Sequence, residues 1–93
     1  MFARVSTYEG DAEPLREGFE SVTDSLRQID GFECAYFLLG DGGKAISITM
    51  WESQDALDAS AEAANRLREG ATQPAGATIT SVESYEVAIA LND

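Results

Sequence analysis

The sequence predicts an α+β fold of element order β-α-β-β-α-β. Three observations support it: two apolar stripes with helical spacing, four runs of strand-like composition, and turn-forming clusters that separate them. The 93 residues are expected to form a single domain over 1–93, large enough for a core but not for a second one.

Phe2 to Tyr8 is rich in β-branched and aromatic residues and ends at Glu9-Gly10-Asp11, so it reads as a first strand. From Glu13-Pro14 onward, Leu15, Phe19, Val22, Leu26 and Ile29 recur every three or four residues and draw one stripe along a helix. Pro14 suits its first turn and Asp30-Gly31 its end. Phe32 to Leu39 and Ala45 to Trp51 follow as strands, joined across Gly40-Asp41-Gly42-Gly43-Lys44, where glycine tolerates positive φ. A second helix opens at Glu52-Ser53-Gln54-Asp55, with Ser53 as its N-cap and Asp55 near the positive end of the dipole. Its inner stripe is Leu57, Ala61, Ala64, Leu67 or Arg68, and Ala71, and Gln73-Pro74-Ala75-Gly76 stops it. Ala77 to Leu91 supplies the last strand, expected to bend near Glu83-Ser84, where the alternation falters. This order is the split βαβ or ferredoxin-like arrangement, an antiparallel sheet with two helices on one face.

Two helices cover only one face, yet the strands are apolar on both. Cys34, Tyr36 and Leu38 alternate with Ala35, Phe37 and Leu39, and Val87, Ile89 and Leu91 alternate with Ala88 and Ala90. An apolar sheet face left in water predicts a second copy packed sheet to sheet, a homodimer.

Composition narrows the function. With no histidine, the usual zinc, haem and copper ligand is missing, together with the side chain best suited to proton exchange near neutral pH. One cysteine, Cys34, forms neither an intrachain disulfide nor a CxxC site, so no metal site is expected and a reducing cytoplasm is the expected compartment. The start of the chain has no signal-peptide pattern and no apolar run is long enough to span a membrane. A net charge of -11, from 17 acidic and 6 scattered basic residues, argues against nucleic acid and is compatible with a saline cytoplasm. Nucleophile elbow, phosphate loop and dinucleotide fingerprint are all missing from the sequence.

The candidate site lies on the third strand. Ala45, Ser47, Thr49 and Trp51 share one face and are smaller and more polar than a core needs. Opposite the small residues Ala61 and Ala64 they predict a pocket with Trp51 as its aromatic wall and Ser47 and Thr49 as polar contacts, weighed against simple close packing of helix on sheet. Tyr36, mid-strand, is the strongest candidate among the tyrosines. Arg66 and Arg68 complement the dipole of the second helix, and either is able to meet an anionic group.

The run MFARVSTYEG, the strand ending ITMWES, the segment QDALDASAEAANRLRE and the strand SVESYEVAIA together resemble the antibiotic biosynthesis monooxygenase-like family, over nearly the whole chain. The most specific piece is ITMWESQDAL, because the family places a tryptophan at this strand end. The resemblance implies a dimeric α+β barrel with one pocket per protomer between sheet and helices. It also implies either cofactor-free oxidation of polycyclic aromatic substrates by molecular oxygen, with Trp51 as catalytic residue, or haem degradation. The haem-degrading branch uses a helix histidine that this chain lacks. The cofactor-free branch carries an asparagine four residues before the tryptophan, a position held here by Ser47. The implied function is a cofactor-independent monooxygenase of a small aromatic metabolite, with Trp51 catalytic, Ser47, Thr49, Tyr36 and Arg66 contacting substrate, no cofactor, and no residue evident as general base. The alternative is a non-catalytic ligand-binding or interaction domain of the same fold.

Overall fold

A computed structural model describes residues 1–92. The elements are β1 (Phe2–Glu9), α1 (Ala12–Arg27), β2 (Phe32–Leu39), β3 (Lys44–Trp51), α2 (Gln54–Ala59), α3 (Ala61–Thr72) and β4 (Thr78–Glu86). The strands pair antiparallel in the order β2-β3-β1-β4, so the ferredoxin-like arrangement is present with one helix more than expected. Gly42 and Gly43 take φ of 75° and 76° in the β2–β3 hairpin, the left-handed region that glycine enters without steric cost.

The helical stripe of α1 buries Leu15, Phe19 and Leu26, with Val22 half-buried. Ser53 caps α2 by accepting from the Ala56 amide at 3.1 Å, which satisfies one of the amide donors exposed at a helix start. Gly18 brings α1 against α3: a Cβ there would lie 2.1 Å from the Ala71 carbonyl oxygen. The two helices therefore touch backbone to backbone at that point.

The expected single second helix is interrupted at Ser60, which is both the C-cap of α2 and the N-cap of α3, with φ −81° and ψ −7°. The cause is Arg4, a buried residue of β1 that reaches up from the sheet. Its Nη2 donates to the Leu57 carbonyl at 2.7 Å and its Nη1 to Ser60 Oγ at 3.1 Å, while Ser60 Oγ donates to the same carbonyl at 2.7 Å. Because this contact turns Ser60 inward, Ser60 is buried and Ala61, expected in the inner stripe, is exposed.

Two bulges tune the sheet. Phe32 pairs with Trp51 and Cys34 with Met50, which leaves Glu33 as an extra residue. That insertion puts Phe32 on the same face as Ala35 and Phe37, where its ring meets Trp51 edge to face at 5.7 Å. The second bulge lies at Thr80, between the Tyr8–Ile79 and Thr7–Ser81 pairs, not at Glu83-Ser84. β4 also ends at Glu86 rather than Leu91; past it, the Val87 amide donates to the Met1 carbonyl, and Ile89 and Leu91 are exposed.

The core splits into two clusters on the helix side, one around Tyr8, Leu15, Phe19, Ala45 and Ala71, the other around Leu26, Trp51 and Leu57. The opposite face carries Val5, Ile46, Ile48 and Met50 between the exposed Tyr36 and Leu38 on β2 and the polar Ser81 and Glu83 on β4.

Replacing Arg4 with Ala removes two hydrogen bonds and the packing of a buried side chain, and is expected to cost about 2–4 kcal/mol in urea unfolding. Ser60→Ala keeps the Arg4–Leu57 bond and should cost about 1 kcal/mol. Equal small losses would show that the clip does not hold the helices.

Candidate functional site

Alternation on the two central strands decides what faces the helices. β1 turns Arg4, Ser6 and Tyr8 inward and β3 turns Ala45, Ser47, Thr49 and Trp51 inward. Hydroxyls therefore stand where a sheet usually presents aliphatic side chains. Between this floor and the helices lies a cavity of about 30 Å³, room for about two water molecules. Its floor is Ser6, Tyr8, Ser47 and Thr49; Phe37 walls it on the β2 side; Val22 and Leu26 of α1 and Leu67 and Arg68 of α3 roof it. No acidic side chain lines it.

Tyr8 is the polar centre of the floor. Its hydroxyl lies 2.7 Å from Ser47 Oγ, and its ring packs edge to face on Phe19 at 5.3 Å. Phe19 in turn stacks on Phe37 at 4.8 Å. Phe37 is also shared by two outer grooves along α1 and β2, of about 370 and 180 Å³. Phe37, with Leu26 toward one groove and Phe19 toward the other, thus separates the inner cavity from the larger spaces outside.

Of the residues singled out in the sequence, the structure brings Ser47 and Thr49 together on the cavity floor. Trp51 is fully buried beside that floor, in the cluster with Leu26 and Leu57, and does not form the cavity wall. Its Nε1 donates to Thr49 Oγ1 at 2.9 Å, and its ring lies under the Arg4 guanidinium, 5.6 Å from centroid to Cζ, within cation–π range. The aromatic walls are Phe19 and Phe37 instead. Tyr36 pairs with Ile48 on the far side of the sheet and is 55% exposed; strand alternation places it away from the cavity. Arg66 is exposed on α3 and lines nothing in the cavity, because two residues along a helix turn about 200° and only Arg68 comes round to the sheet.

Sequence reasoning missed Tyr8 and chose Arg66, whereas Arg68 is the arginine that lines the cavity. The signal for Tyr8 was present: on β1, Arg4, Ser6 and Tyr8 alternate with Ala3, Val5 and Thr7, but a polar-out reading of that pattern turns the strand the wrong way round. Arg4 and Arg68 are the two cations drawn under the helices. Burial pushes both guanidinium pKa values down, the positive charge of Arg68 lowers that of Arg4 further, and Asp58 works against that shift. For Arg68 the opposing influences are Tyr8 and Glu69. Among the described residues no cluster of His, Cys, Asp and Glu is suited to hold a metal ion, and no helix is long and apolar enough to cross a membrane.

The comparisons with known proteins agree on the fold. The heme-degrader MhuD of Mycobacterium tuberculosis, solved with two hemes in its active site, superposes with a TM-score of 0.75 at 21% identity, covering 99% of this chain and 100% of that one. SnoaB, a cofactor-independent oxygenase from Streptomyces nogalater, gives 0.75 at 16% identity, over 99% and 97%. The ActVA-Orf6 monooxygenase of Streptomyces coelicolor, in complex with nanaomycin D, gives 0.64 at 21%, over 98% and 92%. No curated protein sequence matches the chain. The family model for antibiotic biosynthesis monooxygenase matches residues 1–70, which spans every element through most of α3, and the chain belongs to that family.

Proposed function

We propose that this protein is a cofactor-independent monooxygenase of a small aromatic or polycyclic metabolite, acting in the cavity between sheet and helices. The observation that carries this reading is the hydroxyl floor of Ser6, Tyr8, Ser47 and Thr49 beneath a roof that is apolar except for Arg68. Such a site excludes water, orients a phenolic ring through a few fixed polar contacts, and strengthens each of them by its low dielectric. The likeness to SnoaB and to the nanaomycin-bound monooxygenase supports it at the level of fold.

The chemistry balances without a cofactor when a ring methylene is oxidised to a carbonyl. One oxygen atom of molecular oxygen enters the carbonyl, the other leaves as water with the two methylene hydrogens, and the substrate supplies all the electrons. The protein's part is positioning. Ser47 and Thr49 hold the substrate oxygens, Thr49 is itself held by the Trp51 indole, and the Tyr8–Ser47 pair offers a route for a proton. Trp51 thereby serves the site through Thr49. A ring is larger than the 30 Å³ cavity, so it enters by displacing Phe37 from Phe19 and taking over the aromatic stack.

The protein acts in this reading as a cytoplasmic homodimer, with the outer sheet faces of two copies covering Val5, Ile46, Ile48, Met50 and Leu38. An aliphatic surface of this kind is poorly compatible with a monomer of this size in water. A second reading, a non-catalytic ligand-binding domain, is favoured by one observation: no carboxylate or imidazole lines the cavity to act as base.

Oxygen uptake on a panel of polycyclic phenols that carry a ring methylene, of the anthrone type, separates the two. Turnover is expected with at least one of them, and Ser47→Ala and Thr49→Val should each lower it by at least about tenfold at a temperature where the variant is still folded, beside a stability loss of about 1–3 kcal/mol from the partner left unpaired. Saturable binding with no oxygen consumption on any member would favour the binding domain. Light scattering checks the assembly: the native chain should run at twice its 10.0 kDa, and Ile48→Asp should return it to the monomer. A native monomer would remove the dimer from the proposal.

A further inference from the structure

Phe37 holds a place that no other described residue shares. It lines the inner cavity and both outer grooves, and it packs against both core clusters. Its strand is an edge of the sheet, paired with β3 alone, so no further strand buttresses it. Its flanking residues in the barrier, Phe19 and Leu26, are only 4% and 5% exposed, whereas Phe37 is half-buried. Of the three side chains between the cavity and the outer grooves, Phe37 is the one with room to move.

The other sides of the cavity are closed by fixed elements. Beneath it lies the hydrogen-bonded sheet. At Gly18 the two roof helices meet backbone to backbone. The Arg4 bonds to Leu57 and Ser60 tie down the turn between α2 and α3, and Trp51, Leu26 and Leu57 fill the space next to Thr49. On the β2 side the two outer grooves share Thr23 as well as Phe37, so they abut across that pair. The larger, of about 370 Å³, runs between Thr23, Leu26 and Arg27 of α1 and Phe32 and Ala35 of β2. That volume lies within the range of small-molecule pockets, and the 30 Å³ of the closed cavity does not. Its width has a cause in the sequence. Ala35 presents a single methyl group where the other inward positions of β2 carry Phe32, Phe37 and Leu39.

We propose that Phe37 is the gate and size filter of the cavity: its ring leaves the stack on Phe19, and an aromatic ligand passes between α1 and β2 from the groove over Ala35. This rests on the proposed use of the cavity as an aromatic-ligand site and adds the side of entry and the residue that sets rate and size. The exchange is matched in kind, because the ligand ring meets the Phe19 face that Phe37 gives up. A ligand of two or three fused rings then spans both spaces, one ring over the hydroxyl floor and the rest above Ala35.

The test is the binding kinetics of 2-naphthol, followed by stopped-flow fluorescence. Phe37→Ala should raise the association and dissociation rates together, each by about tenfold, because a gate slows traffic in both directions. Phe37→Trp should lower both by a similar factor. Phe37→Leu, which keeps an apolar side chain if the alanine variant fails to fold, should raise both by less. Ala35→Phe fills the groove and should slow association, whereas Ala61→Phe, at an exposed position beside the α2–α3 turn, should leave it unchanged. Faster dissociation with an unchanged association rate in Phe37→Ala and Phe37→Leu would make Phe37 a plain wall and overturn the gate, with the aromatic-ligand reading left standing. Slowing by Ala61→Phe but not by Ala35→Phe would overturn the route. Failure of 2-naphthol to bind the native protein would remove gate and reading together.

Discussion

The structure depends on one buried cation. Arg4 rises from the middle of the sheet, rests on the Trp51 ring and donates to the turn between α2 and α3. A guanidinium in that position bears a desolvation cost without a carboxylate in hydrogen-bond contact. What it gains is two well-directed hydrogen bonds and an aromatic face. Those contacts decide where the helical segment after Trp51 breaks, and the break sets the rotation of α3 about its own axis. From that rotation follows which arginine reaches the sheet and which remains in water. A single residue on the second half-turn of the first strand thus determines the composition of a wall more than sixty residues later.

The site inherits its character from the same inversion of the usual pattern. Sheets commonly bury their aliphatic positions and expose their hydroxyls. Here β1 and the inward face of β3 do the reverse, and the aliphatic residues Val5, Ile46, Ile48 and Met50 lie on the opposite face. The hydroxyls are tied to one another and to the core in short contacts, Tyr8 to Ser47 and Thr49 to the Trp51 indole, which keeps buried polar groups paired. The apolar side chains that a core would have used in their place come from the helices and from Phe37.

The residue pattern revealed much of the fold and about half of the site. The α1 stripe, the hairpin glycines, the Ser53 cap and the strand order all follow from periodicities and turn chemistry that act within a few residues of each other. What escaped it depends on contacts distant in sequence. The interruption at Ser60 comes from Arg4, and the location of the β4 bulge depends on pairing with β1, not on the local alternation at Glu83-Ser84. Ser47 and Thr49 were legible because strand alternation alone puts them beside each other. Tyr36 and Tyr8 were not separable without knowing which face of each strand the helices cover, and that is settled by the register between strands. Arg66 and Arg68 differ only in helical phase, which shifts with the break.

The meeting of Gly18 with the Ala71 carbonyl has a mechanical meaning. At that end the helices α1 and α3 are in backbone contact, and no side chain there is able to yield. Toward the other end, Leu26 and Leu67 keep them apart by compressible, rotatable bulk. A roof pinned in this way has little freedom at Gly18, so room for a larger guest has to come from the side chains further along, Phe37 first among them. Any residue larger than glycine at position 18 would drive the two helices apart at that point, so a hydrogen atom in place of a side chain sets how low the roof lies over the hydroxyl floor.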